Sequence, residues 1–283
     1  MLNKPHILVF DSGLGGTTVL REIQTLLPDA IYSYALDNDA FPYGQKSNDF
    51  LLQRCVPLFT QLIQLAAPTI IVIACNTAST LLLNTLRQAF PHIAFVGVVP
   101  AIKPAAQLSH SKVIGLLATE ATVNRSYVDE LQAAHAADCT LVRLGTAHLV
   151  ALAENKMRGE AVDLCQLQAI VSEFLALPNA SAVDTIVLGC THFPLLRDEL
   201  SALWPTPIVW IDSGAAIAKR VQSLVLQPHN TLPMPYDTNA YLFITSVTKQ
   251  EKITAALQKQ GAFQVQLITI NKPIPTTKKQ SFV

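Results

Sequence analysis

Short runs of almost continuous apolar residues punctuate this chain: HILVF (6–10), TIIVIAC (69–75), KVIGLLA (112–118) and DTIVLGC (184–190). A strand that is apolar on both faces must be covered on both faces, which favours parallel sheets flanked by helices over surface hairpins. Each run leads through small polar residues into a longer helical pattern, such as TTVLREIQTLL (17–27) and TASTLLLNTLRQAF (77–90). AIYSYAL (30–36), AFVGVV (94–99), CTLVRL (139–144) and YLFITSV (241–247) supply further strands. A helix is expected over 48–66, with Pro57 as a kink or boundary. Another follows near KITAALQKQ (252–260), and NKPIPTTKKQSFV (271–283) is expected as a loosely attached end.

A repeat underlies this alternation. Ile71 to Cys75 returns as Ile186 to Cys190, and Ile7 to Phe10 returns as Ile114 to Leu117, with Ser12 falling on Thr119. Both matches occur in the same order, as two related halves would require. The expected fold class is therefore α/β: two pseudo-symmetric three-layer domains with mostly parallel sheets and an active site in the cleft between them. Boundaries near Val99–Pro100 and Trp204–Pro207 divide the chain into 1–99 plus 207–283 and 100–206. The segment VWIDSGAAIAKRVQSLVL (209–226) is expected to return to the first half.

Composition removes several function classes. Twenty basic and twenty acidic residues cancel, so no electrostatic case exists for nucleic acid or an anionic membrane as main partner. No apolar stretch reaches the ~18 residues of a membrane span, and the run before Asp11 is too short for a signal-peptide core. A soluble, cytoplasmic protein is expected. Five scattered cysteines, an odd number, fit reduced thiols better than a disulfide framework.

In parallel α/β sheets, ligands collect beyond the carboxyl ends of the strands. Cys75, Cys190 and Asp11–Ser12–Gly13 all stand at such ends. If the halves face each other, one thiol approaches the cleft from each side. Two acid–base groups on opposite faces of one carbon can remove a proton and return another, which inverts a stereocentre. A thiol, with an ordinary pKa of about 8.5, can be brought to either form near neutrality by modest local changes. Asp11 and His192 are the candidate proton partners of Cys75 and Cys190. Reacting atoms must approach to about 3–3.5 Å on each face, placing the sulfurs roughly 6–8 Å apart.

Each residue alone has a plainer reading. A cysteine at a strand end can be inert, His192 structural, and Asp11 a helix cap. The glycine-rich turn at 13–16 is either a tight strand-to-helix connection or a set of amides aimed at a carboxylate. FPYGQKS (41–47) reads as a surface turn unless other motifs recruit it. A phosphatase loop would need an arginine that neither cysteine has at the right spacing. Cys190-x-His192 is not a usual zinc pair, so no metal is expected. A non-catalytic amino-acid-binding protein would keep the cleft but not need its thiols.

The motifs FDSGLGG (10–16), FPYGQKS (41–47), ACNTAS (74–79), GCTHFPLL (189–196) and IDSGAAIA (211–218) resemble the cofactor-independent glutamate racemases of bacterial cell-wall synthesis. That resemblance implies two-base interconversion of L- and D-glutamate without pyridoxal phosphate or metal, supplying D-glutamate for peptidoglycan. Cys75 would serve the D-isomer with Asp11, and Cys190 the L-isomer with His192, Glu154 being a further acidic helper. Substrate contacts would come from Asp11, Ser12, Tyr43, Gly44, Asn76, Thr77, Thr119, Thr191 and His192. The resemblance also implies a homodimer. Aspartate or hydantoin racemisation on the same scaffold is the nearest alternative.

Overall fold

The apolar runs do form strands and the intervening stretches helices. In the computed structural model, which describes residues 4–226, 239–258, 261 and 263–269, the chain opens with β1 (His6–Asp11), α1 (Thr17–Leu26) and β2 (Ile31–Leu36). It continues through α2 (Asn48–Ala66), β3 (Ile70–Ile73), α3 (Asn76–Ala89) and β4 (Ala94–Gly97). Next come α4 (Ile102–Leu108), β5 (Val113–Ala118), α5 (Glu120–Val123), α6 (Ser126–His135), β6 (Thr140–Gly145), α7 (His148–Met157) and α8 (Leu164–Leu175). Then β7 (Thr185–Leu188), α9 (Arg197–Leu203) and β8 (Val209–Ile211) complete the second half, and α10 (Gly214–Val225) comes next. β9 (Tyr241–Ile244), α11 (Gln250–Gln258) and β10 (Gln264–Leu267) follow.

Two sheets result, ordered β10-β9-β2-β1-β3-β4 and β6-β5-β7-β8, and their strands pair in parallel. The order β2-β1-β3-β4 is repeated by β6-β5-β7-β8, and the repeat extends to register. Ile7 lies opposite Ile70 as Ile114 lies opposite Thr185, and Leu8 opposite Ile71 as Gly115 opposite Ile186. Alternate residues supply opposite faces, as a pleated strand requires. Ile7 and Val9 face one core while Leu8 and Phe10 face another. Ile114 and Leu116 are likewise separated from Leu117.

Two expectations need correction. β8 pairs with β7, so the second sheet extends beyond residue 206, the boundary expected from Trp204–Pro207. The reason lies in the repeat: β8 is the counterpart of β4 and completes the second half. Within 209–226 it is α10 that returns to the first half, packing along α1. Pro57, by contrast, does not end its helix. It sits on the exposed side of α2, as does Gln53, whose carbonyl loses its amide partner there and can be hydrated. Leu51, Cys55, Leu58, Phe59 and Leu62 hold the opposite side in the core.

β9 and β10 extend the first sheet at the free edge of β2, one strand more than the sequence suggested. The expected loose end, 271–283, lies outside the described residues. Among the described residues, no helix is long and apolar enough to cross a membrane.

Phe59 of α2 is fully buried, its ring 4.7 Å from that of Phe10 and 6.1 Å from that of Phe95. Phe59→Ala should cost about 3–5 kcal/mol in a denaturant titration, because the cavity it leaves is walled by strands that cannot collapse. A change below about 1 kcal/mol would show that α2 packs differently.

Candidate functional site

In each half the chain turns from one side of its first strand to the other, so the crevice between β1 and β3, and that between β5 and β7, is a topological switch point. Asp11 ends β1 and Cys75 follows β3, while Thr119 follows β5 and Cys190 follows β7. All four line one narrow cavity between the halves. The two switch points thus face each other, and both thiols reach the same space.

On the first side, Asp11 is completely buried at the base of the cavity. Its Oδ1 accepts from the Ser12 amide at 2.6 Å, and its Oδ2 accepts from Thr191 Oγ1 of the other half at 3.0 Å. Ser12 Oγ lies 3.5 Å from Asp11 Oδ1 and 4.0 Å from Cys75 Sγ, standing between carboxylate and thiol. Burial pushes the Asp11 carboxyl above its usual range, although His192, the Ser12 amide and Thr191 pull the other way. Burial, followed by the charge of Asp11, also pushes the Cys75 thiol well up. Cys75 caps the N-terminus of α3, where the Ala78 amide favours thiolate. Here the helix terminus is outweighed.

The second side carries a cation. His192 is buried, with Nδ1 at 3.8 Å from Cys190 Sγ and Nε2 at 2.8 Å from Glu154 Oε1. Burial alone would lower its pKa, but hydrogen bonds and charge from Cys190 and Glu154 prevail and hold the ring well above its ordinary value. The Gly15 amide also lies 3.2 Å from Nε2. A protonated Nε2 cannot accept, so the shorter bond it donates to Glu154 is the one that orients the ring. After Cys190 the chain enters a 3-10 turn, Phe193–Leu196, before α9, so no regular helix terminus points at this thiol.

Glu154 is the hidden centre of this side. It is buried on α7, accepting at Oε1 from the Leu14 amide at 2.5 Å and at Oε2 from Arg158 Nη2 at 2.6 Å. Burial would raise its carboxyl; the bond and charge of His192, the Leu14 amide and Arg158 together hold it below the usual range. The glycine-rich turn therefore aims its amides at a carboxylate, but one of the protein's own. A Cβ on Gly13 would collide with Glu154, and one on Gly15 with His192, which explains glycine at both positions.

The remaining expected residues are also placed here. Asn76 and Thr77, in the first turn of α3, line the cavity, with Thr77 Oγ1 3.5 Å from Thr119 Oγ1 across it. Asn76 Oδ1 is buried without a hydrogen-bond partner. Tyr43 and Gly44 belong to the turn Tyr43–Gln45; a Cβ on Gly44 would come within 3.1 Å of Thr119. The Tyr43 hydroxyl is committed elsewhere, donating to Asp37 Oδ2 at 2.7 Å. Thr191 and His192 line the cavity, whereas Glu154 stands behind His192. Sequence reasoning missed Thr122, a cavity residue 3.0 Å from Thr119 Oγ1. Its position three residues after Thr119, in the first turn following β5, was the available signal.

The fold and the site together bring two buried thiols from facing switch points to one cavity. The Asp/Glu/Hydantoin racemase family matches residues 13–221, and this chain belongs to that family. Two bacterial relatives are described as glutamate racemases. The protein from Pectobacterium carotovorum is 47% identical over 259 residues, covering 92% of this chain and 90% of the relative. That from Salmonella typhimurium is 48% identical over 258 residues, covering 91% and 90%. Among solved structures, Escherichia coli glutamate racemase in complex with L-glutamate and the activator UDP-MurNAc-ala superposes with a TM-score of 0.88 at 44% identity. It covers 95% of this chain and 100% of that one.

The Glu154–His192 pair should leave a pH signature. A raised histidine pKa contributes stability that is complete below about 6.5 and lost as pH rises through the folded value. A lowered glutamate pKa contributes stability that is present above about 4.5 and lost as pH falls through the folded value. Glu154→Gln should therefore cost about 3–5 kcal/mol near neutrality, with the deficit shrinking at both ends of that window. Denaturant titrations of both proteins across pH would show it; a deficit independent of pH would contradict the charge assignment.

Proposed function

We propose that the chain is a glutamate racemase in which the α-proton passes between substrate and two thiols, Cys75 and Cys190. The observation carrying this reading is that both sulfurs line one cavity, each with its own proton partner. Close relatives called glutamate racemase, one solved with L-glutamate, supply the substrate class.

Cys190 takes the α-proton of the L-isomer while the Cys75 S–H delivers its proton to the opposite face. The thiolate left at Cys75 regains a proton from the Asp11 carboxyl, whose raised pKa keeps it available as a donor beside Ser12, and Asp11 in turn recovers a proton from solvent. On the Cys190 side the protonated His192 faces the thiolate through Nδ1. Once Cys190 holds the α-proton, the imidazolium releases its own proton to solvent and can then take the one on sulfur, with Glu154 holding the ring in place. The reverse sequence serves the D-isomer. The unpartnered Asn76 Oδ1 suits the substrate ammonium, while Ser12, Thr77, Thr119, the Thr191 amide and the Tyr43–Gly44 backbone offer neutral donors for its carboxylates. Neutral donors can bind without competing for the α-proton. D-Glutamate formed in this way would feed bacterial cell-wall assembly.

Enantiomers have equal free energy, so kcat/KM must be the same in both directions for the native enzyme and for every variant. The role of each thiol must therefore be read from isotope exchange. In deuterated water, with no added cofactor, native protein should place deuterium at Cα as optical rotation decays. Cys75→Ser and Cys190→Ser should each lose at least about 100-fold in racemisation. The first should exchange only L-glutamate and the second only D-glutamate. Aspartate should turn over about tenfold or more slower than glutamate, because one methylene misplaces its distal carboxylate. A requirement for pyridoxal phosphate, or full racemisation by either variant, would overturn the proposal.

A further inference from the structure

Asp37 lies just beyond β2, one strand over from Asp11, and its amide donates to the Asp11 carbonyl at 3.1 Å. It does not line the cavity, yet it is completely buried and its carboxylate gathers donors from three separate elements. Tyr43 Oη donates to Oδ2 at 2.7 Å. From α2, Arg54 Nε donates to Oδ2 at 2.6 Å and Nη2 to Oδ1 at 2.7 Å. Thr245, just past β9, donates from Oγ1 to Oδ1 at 2.6 Å.

The electrostatics make this assembly directional. Arg54 is held charged by its bonds to Asp37. Burial keeps Tyr43 a neutral phenol and pushes the Cys55 thiol up to about 12. Tyr43 Oη therefore donates to the carboxylate while accepting from Cys55 Sγ at 3.3 Å. A buried carboxylate with a full complement of donors fixes their positions, since each lost bond leaves an unsatisfied charge. Through one phenol, it fixes the turn whose backbone forms the cavity wall beside Thr119.

We propose that Asp37 is a positioning residue for the substrate wall at Tyr43–Gly44, and that Thr245 makes the C-terminal strand β9 part of that device. This rests on the reading of the cavity as the glutamate site. It assigns the C-terminal extension a role in substrate binding, although neither β9 nor Asp37 lines the cavity. Because the wall holds substrate and exchanges no proton, its loosening should weaken binding for both isomers and spare the chemistry.

Tyr43→Phe removes only the phenolic donor, and Thr245→Val only the hydroxyl beneath it. Each should raise KM for both isomers about three- to tenfold, the worth of one hydrogen bond, with kcat held within about twofold. Thr245→Ser, which retains the hydroxyl, should restore the native KM. Thermal denaturation followed in parallel separates fold from site. If both variants lose stability but keep the native KM, or lose kcat alone, the positioning role is wrong. Should Thr245→Val fail to fold, Tyr43→Phe decides. Absence of glutamate racemisation by native protein would instead remove the reading beneath.

Discussion

A carboxylate removed from water must find donors, and Glu154 finds them on both halves of the molecule. Leu14 offers an amide from the turn after β1, while His192 and Arg158 come from the second half. Breaking such a buried pair costs far more than making it gains, so the halves are held in one relation. Thr191 repeats the tie in the opposite direction by donating to Asp11. The cavity is narrow because these crossed bonds draw the two strand-end crevices together around it.

Within that frame the two thiols have unlike surroundings. Cys75 faces an uncharged hydroxyl and, behind it, a buried carboxyl raised in pKa. Cys190 faces a protonated imidazole backed by a carboxylate. The fold is pseudo-symmetric and the acid–base apparatus is not. Asp11 and His192 come from non-equivalent places in the repeat, Asp11 ending β1 and His192 following β7, so each thiol meets a partner of opposite charge type.

Much of this was legible from residues alone. Continuous apolar strands announced parallel sheets, and the echo of Ile71–Cys75 in Ile186–Cys190 proved to be true to strand register. Other features were hidden for identifiable reasons. The glycine-rich turn read equally as a tight connection or as amides aimed at a carboxylate, and its Leu14 amide serves Glu154, a partner far along the chain. Pro57 signalled a break that an exposed helix face tolerates. β8 is only Val209–Ile211, too short to show from periodicity that the second sheet extends past the proline-rich stretch. Asp37 carries no motif of its own; its importance appears only when Tyr43, Arg54 and Thr245 converge on it. Long-range convergence of polar groups is what a linear reading cannot see.

The central claim is geometric: one sulfur on each face of the reacting carbon. A crystal structure of the native protein with bound D-glutamate tests it most directly. Cys75 Sγ and Cys190 Sγ should each lie about 3–3.5 Å from Cα, on opposite sides of the plane through its other substituents. Both sulfurs on the same side, or either beyond the reach of proton transfer with the substrate fully seated, would contradict the account.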